Sequence, residues 1–120
     1  MAKKILIIED NEDILELMQY LLEEDGFEVF GSIDSKPIKE LKSLKPDLII
    51  MDNRLSDGSG VVFCQQIKQQ PETRHIPVIL ISANIGLEEL TVISGADGYL
   101  AKPFDVDVFM KTIKRFTISN

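Results

Sequence analysis

The chain has 120 residues, one domain's worth, and can build an apolar core without disulfides or a structural metal. An apolar fraction of 44% and a charged fraction of 28% are ordinary globular values and set aside a disordered tail or a fibrous repeat. With 20 acids against 13 Lys and Arg the net charge is -7, which argues against direct nucleic-acid binding, and the single cysteine cannot form an internal disulfide.

The first predicted element is the strand Lys4-Ile5-Leu6-Ile7-Ile8-Glu9, apolar on both faces. Its short apolar run is closed by acids and is too short for a signal peptide or a membrane span, so a cytoplasmic chain without membrane contact is expected. Asn11 is the natural cap of a first helix in which Ile14, Leu15, Leu17, Met18, Leu21 and Leu22 recur at helical spacing until Gly26. Phe27-Glu28-Val29-Phe30 is shorter and charged, which suits an edge strand. Ser35 followed by Pro37 opens a second helix carrying Ile38, Leu41 and Leu44.

The run from Asp47 to Asp52 is a third strand, apolar throughout its middle. A third helix starts near Ser59 or Gly60, carries Val61, Val62, Phe63 and Ile67, and ends by Pro71. Within it Cys64 reads as a small packing residue, since no basic partner or cysteine motif accompanies it. His75 lies in a polar loop with no second imidazole or cysteine nearby and reads as a surface residue. Pro77 to Ser82 is the fourth strand, Leu87 to Ser94 a short fourth helix stopped by Gly95, and Gly98 to Lys102 the fifth strand. A fifth helix runs from about Asp105 through Phe109, Ile113 and Phe116. Met18, Phe63 and Phe104 read as core, and Lys42, Lys45, Lys111, Lys114 and Arg115 as helix-end cations.

Five strands and five helices in strict alternation predict an α/β fold, a doubly wound (βα)5 parallel sheet with strand order 2-1-3-4-5. The polar residues then collect on one rim. Glu9 and Asp10 follow the first strand, Asp52 ends the third, Ser82 the fourth and Lys102 the fifth, and ligands of such sheets bind outside those carboxyl ends. Carboxylates about 4 Å apart repel by about 4 kcal/mol per pair at an effective dielectric near 20, so the cluster calls for a cation. Oxygen donors without histidine or sulfur favour Mg2+ over Ca2+ or Zn2+. With Lys102 supplying a second positive charge, Asp52 is placed as a nucleophile toward an activated phosphoryl donor, and the Ser82 hydroxyl can hydrogen-bond the new phosphoryl oxygens.

These residues, in this order, resemble the receiver domain of bacterial two-component response regulators, the chemotaxis-type single-domain receivers among them. The resemblance is carried by Glu9-Asp10-Asn11, by Asp52 followed by Leu55 and Asp57-Gly58-Ser59-Gly60, by Pro77 to Ala83, and by Gly95 to Phe104 including Lys102-Pro103. It extends over residues 1–120 and implies a flavodoxin-like receiver fold. It implies a phosphoryl group accepted on Asp52 from a histidine kinase or histidine phosphotransfer protein, with Mg2+ held directly by Asp10 and Asp52, through water by Glu9, and by the Arg54 backbone carbonyl. It also implies Lys102 at the phosphoryl group, aimed by a cis Lys102-Pro103 peptide, and Ser82 with Tyr99 as a switch pair that alters the surface of the fourth helix, fifth strand and fifth helix. Arg54 and Asn84 occupy the positions that tune phosphoryl lifetime in the family. A weak or phosphorylation-dependent dimer goes with that surface.

Some positions depart from the family pattern. Ser56 replaces a usual proline, which is expected to loosen its loop, and the stretch between Ser82 and Lys102 is about two residues short, with Gly86 softening the start of the fourth helix. The chain stops soon after the fifth helix, so either a stand-alone regulator or a piece of a larger protein is expected, with the downstream partner or output domain elsewhere. The role is that of a switch rather than an enzyme acting on other molecules. Two other functions compete. A phosphate-independent interaction module would be expected to lack the pocket acids or lysine, and an aspartyl phosphatase would be expected to carry a second acid where Arg54 stands. Flavin binding would need a hydroxyl-rich loop in place of Glu9 and Asp10.

Overall fold

The computed structural model describes residues 2–83 and 86–118, apart from the side chain of Leu87. The expected alternation is observed as β1 (Lys4–Ile8), α1 (Glu12–Glu24), β2 (Glu28–Ser32), α2 (Leu41–Leu44), β3 (Leu48–Asp52), α3 (Gly60–Gln69), β4 (Val78–Ser82), α4 (Leu87–Ser94), β5 (Gly98–Ala101) and α5 (Val106–Thr117). All five strands pair in parallel in the order β2-β1-β3-β4-β5. Every residue of β3 and β4 is buried, as their continuous apolar runs require of strands covered on both faces. Side-chain alternation divides the core. Ile5, Ile7, Leu48, Ile50, Ile79 and Ile81 meet α1 and α5, while Leu6, Ile8, Ile49, Met51, Val78 and Leu80 meet α2 and α3. Each such aliphatic side chain withdrawn from water contributes about 1.5–3 kcal/mol. Met18 is fully buried, and Phe104 and Phe63 pack at the margins of the two layers, Phe104 stacked on Phe109 at 5.3 Å.

Asn11 caps α1 as expected, and Asp105, where the fifth helix is expected to start, caps α5. Asn11 Oδ1 accepts the Ile14 N–H at 3.0 Å, and Asp105 Oδ1 accepts the Val108 N–H at 2.8 Å. The second helix differs from expectation. Lys36–Glu40 is a 3-10 turn, and only Leu41–Leu44 is α-helical before Lys45 enters the left-handed region at φ 50. Ile38, Leu41 and Leu44 repeat every three residues, a spacing that suits the 3.0-residue turn as well as the α-helix.

The register sets the site. Ile8 pairs with Met51, so Glu9 and Asp52 lie side by side one step further on. Asp52 pairs with Ile81 and Ser82 with Ala101, which brings Ser82 next to Asp52 and Lys102 to the edge of the same group.

Candidate functional site

The rim gathers most of the residues expected there. Asp52 is buried at 7% exposure, and its Oδ2 accepts a hydrogen bond from Lys102 Nζ at 3.0 Å. The same ammonium lies 2.7 Å from Glu9 Oε1. Glu9 is fully buried, its Oε2 accepting the Asn11 N–H at 3.2 Å while Oε1 receives no well-directed hydrogen bond. Asp10 is exposed, yet one oxygen from each of Glu9, Asp10 and Asp52 lies within 4.8 Å of the others. The Lys102-Pro103 peptide is cis, as the resemblance implied.

Burial, and then the adjacent Asp52, push the Glu9 carboxyl up to about 7. Burial by itself would lower the Lys102 ammonium, but Glu9 and Asp52 together overcome it and raise its pKa. Among the described residues one ammonium, that of Lys102, is paired with these acids, which leaves the cluster short of positive charge. A buried carboxylate oxygen without a directed donor, converging with two others and no nitrogen or sulfur, fits a small hard divalent cation. Glu9, Asp10 and Asp52 are the residues that would hold it.

Beside the acids, Asp52, Arg54, Ser82, Ala83 and Lys102 line a cleft of about 130 Å³. Ser82 is buried, and its carbonyl accepts the Lys102 N–H at 2.9 Å. The Arg54 N–H points back to Asp52 Oδ1 at 3.3 Å, while its side chain is exposed. Asn84 lies outside the described residues. Tyr99 is not in this group: it is 40% exposed on β5, and its hydroxyl donates to Glu88 Oε1 of α4 at 2.8 Å. That bond to Glu88, with some desolvation, raises the Tyr99 pKa. Cys64 is buried with its thiol pushed up to about 11, first by burial, and His75 is exposed, both away from the rim.

Residues beyond those predicted shape the site. Arg54–Leu55 and Gly58–Ser59 pair as a small antiparallel hairpin around Ser56 and Asp57. Asp57 Oδ2 accepts both the Ser35 N–H at 3.1 Å and the Ser35 hydroxyl at 2.5 Å, and the hydroxyl bond leads in lowering the Asp57 pKa. The turn in which Ser56 stands is thus tied to the β2–α2 loop, a contact across 22 residues that no local pattern announces. Gly60 had a visible signal in its glycine-rich turn: a Cβ there would lie 2.5 Å from the Asp52 carbonyl oxygen. A second cavity, about 330 Å³ and mostly apolar, borders the first and is lined by Ile14, Leu17, Ala83, Lys102, Pro103 and Phe104.

The response regulator receiver domain model matches residues 5–114. The phosphate regulon transcriptional regulatory protein PhoB of Escherichia coli K12 is 37% identical over 118 residues, covering 95% of this chain and 51% of that protein. The chain therefore spans about half the length of such relatives. The polar-differentiation response regulator DivK of Brucella anthropi is 36% identical over 119 residues, 97% of each chain. The receiver domain of sensor histidine kinase PA1611 from Pseudomonas aeruginosa PAO1, with a magnesium ion coordinated in its active site cleft, superposes with a TM-score of 0.86 at 28% identity, covering 97% of this chain and 98% of that one. With the parallel sheet and its rim of acids, these matches establish that the chain belongs to the response regulator receiver domain family of two-component systems.

Proposed function

We propose that the chain is a phosphorylation-controlled switch, residues 1–120 forming its receiver unit and Asp52 accepting the phosphoryl group. The observation that carries this reading is the Asp52 carboxylate, bonded to Lys102 at 3.0 Å and lining a cleft that also presents Ser82. An Asp52 oxygen attacks phosphorus, a new O–P bond forms as the donor's bond to phosphorus breaks, and the leaving group departs with the electron pair, taking up a proton if it needs one. Lys102 offsets charge on the transferring oxygens, and Ser82 donates to one of them. Mg2+, held by Asp10 and Asp52 directly, by Glu9 through water and by the Arg54 carbonyl, would supply the remaining positive charge when bound. The magnesium in the Pseudomonas receiver's cleft supports that choice of ion.

The donor is a histidine kinase or histidine phosphotransfer protein. The apolar cavity of Ile14, Leu17, Pro103 and Phe104 beside Lys102 supports docking of such a partner next to the cleft. A cytoplasmic setting goes with that partner, and among the described residues no helix is long and apolar enough to cross a membrane. On the output side, Tyr99 would turn inward as Ser82 engages the phosphoryl group, changing the α4–β5–α5 surface. Val92 and Ile93, 82% and 61% exposed on α4, support that surface as the one met by a downstream protein, an output domain or a second copy. Arg54 and Asn84 would set how long the acyl phosphate lasts, which R54A would show as a changed decay rate.

The test is intact mass after incubation with Mg2+ and phosphoramidate. The parent should gain one phosphoryl group and D52A none; an unmodified parent, or equal gain by D52A, overturns the reading.

A further inference from the structure

The residue after Asp52 closes a structure that no local pattern of α3 supplies. Ser59, at the N-cap position of α3, makes no capping bond with its side chain. The helix is capped from eight residues upstream instead. Asn53 Oδ1 accepts the Val61 N–H at 3.2 Å, and the Asn53 backbone carbonyl accepts the Gly60 N–H at 2.8 Å. Two of the first helical donors, which α3 cannot satisfy internally, therefore end on one residue. The Ser59 hydroxyl approaches the same Oδ1 at 3.4 Å. Asn53 is also held in the sheet, its N–H bonding the Ile81 carbonyl at 2.8 Å.

Asn53 thus closes a ring. One end of the hairpin, Arg54, donates its N–H to Asp52 Oδ1, and the other end, Ser59 to Val61, is fastened to the Asn53 side chain. Side chains alternate across a strand, so the carboxylate of Asp52 faces Lys102 while the amide of Asn53 faces α3. Gly60 completes the junction, since the lack of a side chain lets α3 sit against the Asp52 carbonyl.

We propose that Asn53 is a positioning residue for phosphoryl transfer, its side-chain oxygen fixing the Asp52–Arg54 segment by anchoring the start of α3. The inference rests on Asp52 being the phosphoryl acceptor. Without that oxygen the ring loses its ties to Ser59 and Val61 and keeps the Gly60 N–H on the Asn53 carbonyl, so the Arg54 N–H holds Asp52 Oδ1 less firmly in one orientation. Misplacement on the scale of an ångström costs up to about a hundredfold in rate, and a partial release about tenfold.

The experiment compares the full chain with Asn53→Ala, Asn53→Leu and Asn53→Asp, using Mg2+ and phosphoramidate and following phosphorylation against donor concentration. Asn53→Ala should lower the limiting rate constant about tenfold while the half-saturating donor concentration stays within about twofold. Asn53→Asp keeps the acceptor oxygen and should recover to within about threefold of the parent. Asn53→Leu, of similar size without an acceptor, should match Asn53→Ala and replaces it if the alanine variant does not fold. The Val61 amide should exchange with deuterated water faster in Ala or Leu variants than in the parent or the Asp variant. A parent-like limiting rate in folded Asn53→Ala or Asn53→Leu overturns the proposal, as does an Asp variant as slow as these. A parent that gains no phosphoryl group at all overturns the underlying reading of Asp52 first, and the inference with it.

Discussion

The starts of the two helices beside the cleft, α3 and α4, are held in different ways. Between β3 and α3, Asn53 caps the helix, Asp57 is bonded to Ser35, and Gly60 rests on the Asp52 carbonyl. Between β4 and α4, the helix starts on Gly86 at φ 83 without a side-chain cap. Gln65 Nε2 reaches the Ile93 carbonyl at 3.1 Å and Ser94 turns inward, while Val92 and Ile93 face solvent. Among the described residues, the start of α3 beside Asp52 is braced by side-chain ties and by the Gly60 junction, whereas α4 begins without a side-chain cap and turns Val92 and Ile93 to solvent.

The same substitution on each loop tests this contrast most strongly. Gly60→Ala drives a methyl group into backbone and should destabilise the protein by about 1–3 kcal/mol in urea unfolding. Among the described residues a methyl group at Gly86 meets the Glu89 carboxylate at 4.0 Å, an ordinary contact, so the cost of Gly86→Ala should come from the left-handed backbone, about 1 kcal/mol. Equal costs would break the comparison.

Cys64 lies on the braced side, where α3 meets Ser94 of α4, and its pH response sharpens the boundary. The folded thiol titrates near 11 against an ordinary 9.0, so the fold favours the protonated form. That contribution is complete below about pH 9 and disappears as pH rises through 11. Thermal melts of C64A should accordingly lose stability less steeply than the parent over that interval.

Smaller effects belong to α4. In a Y20F background, E88A should lower the Tyr99 pKa toward its ordinary value in an absorbance titration, because the hydroxyl loses its carboxylate acceptor. V92S should change stability by no more than about 0.5 kcal/mol, since Val92 is 82% exposed and contributes little to the interior.

The sheet was legible from the sequence because β1, β3 and β4 are continuous apolar runs, a pattern that covering on both faces demands and that local composition records. The rim followed from topology, which brings Glu9, Asp52, Ser82 and Lys102 to one end once the strands are parallel and ordered. The side-chain ties were less visible. Ser35 and Asp57 meet across separate crossovers, and Lys68, on α3, reaches both the Ile76 carbonyl and Asp97 at 2.7 Å. Such pairs depend on the height at which each helix docks, which hydrophobic spacing does not specify. The 3-10 segment before Leu41 escaped for another reason: three apolar residues every third position fit either helical winding.

The cleft beside Asp52 has a volume of about 130 Å³, equal to roughly four waters at about 30 Å³ each. On the function proposed above, an opening of that size would admit a donor's reactive group and leave most of the molecule bearing it outside. A donor of the proposed kind would then present its phosphoryl group on a protrusion, and its identity would be checked elsewhere. The larger apolar hollow around Ile14, Leu17 and Phe104 has the area for that check. On that proposed function, chemistry and address would lie on adjoining surfaces, so that the choice of donor could change at Leu17, half exposed on α1, without altering Asp52.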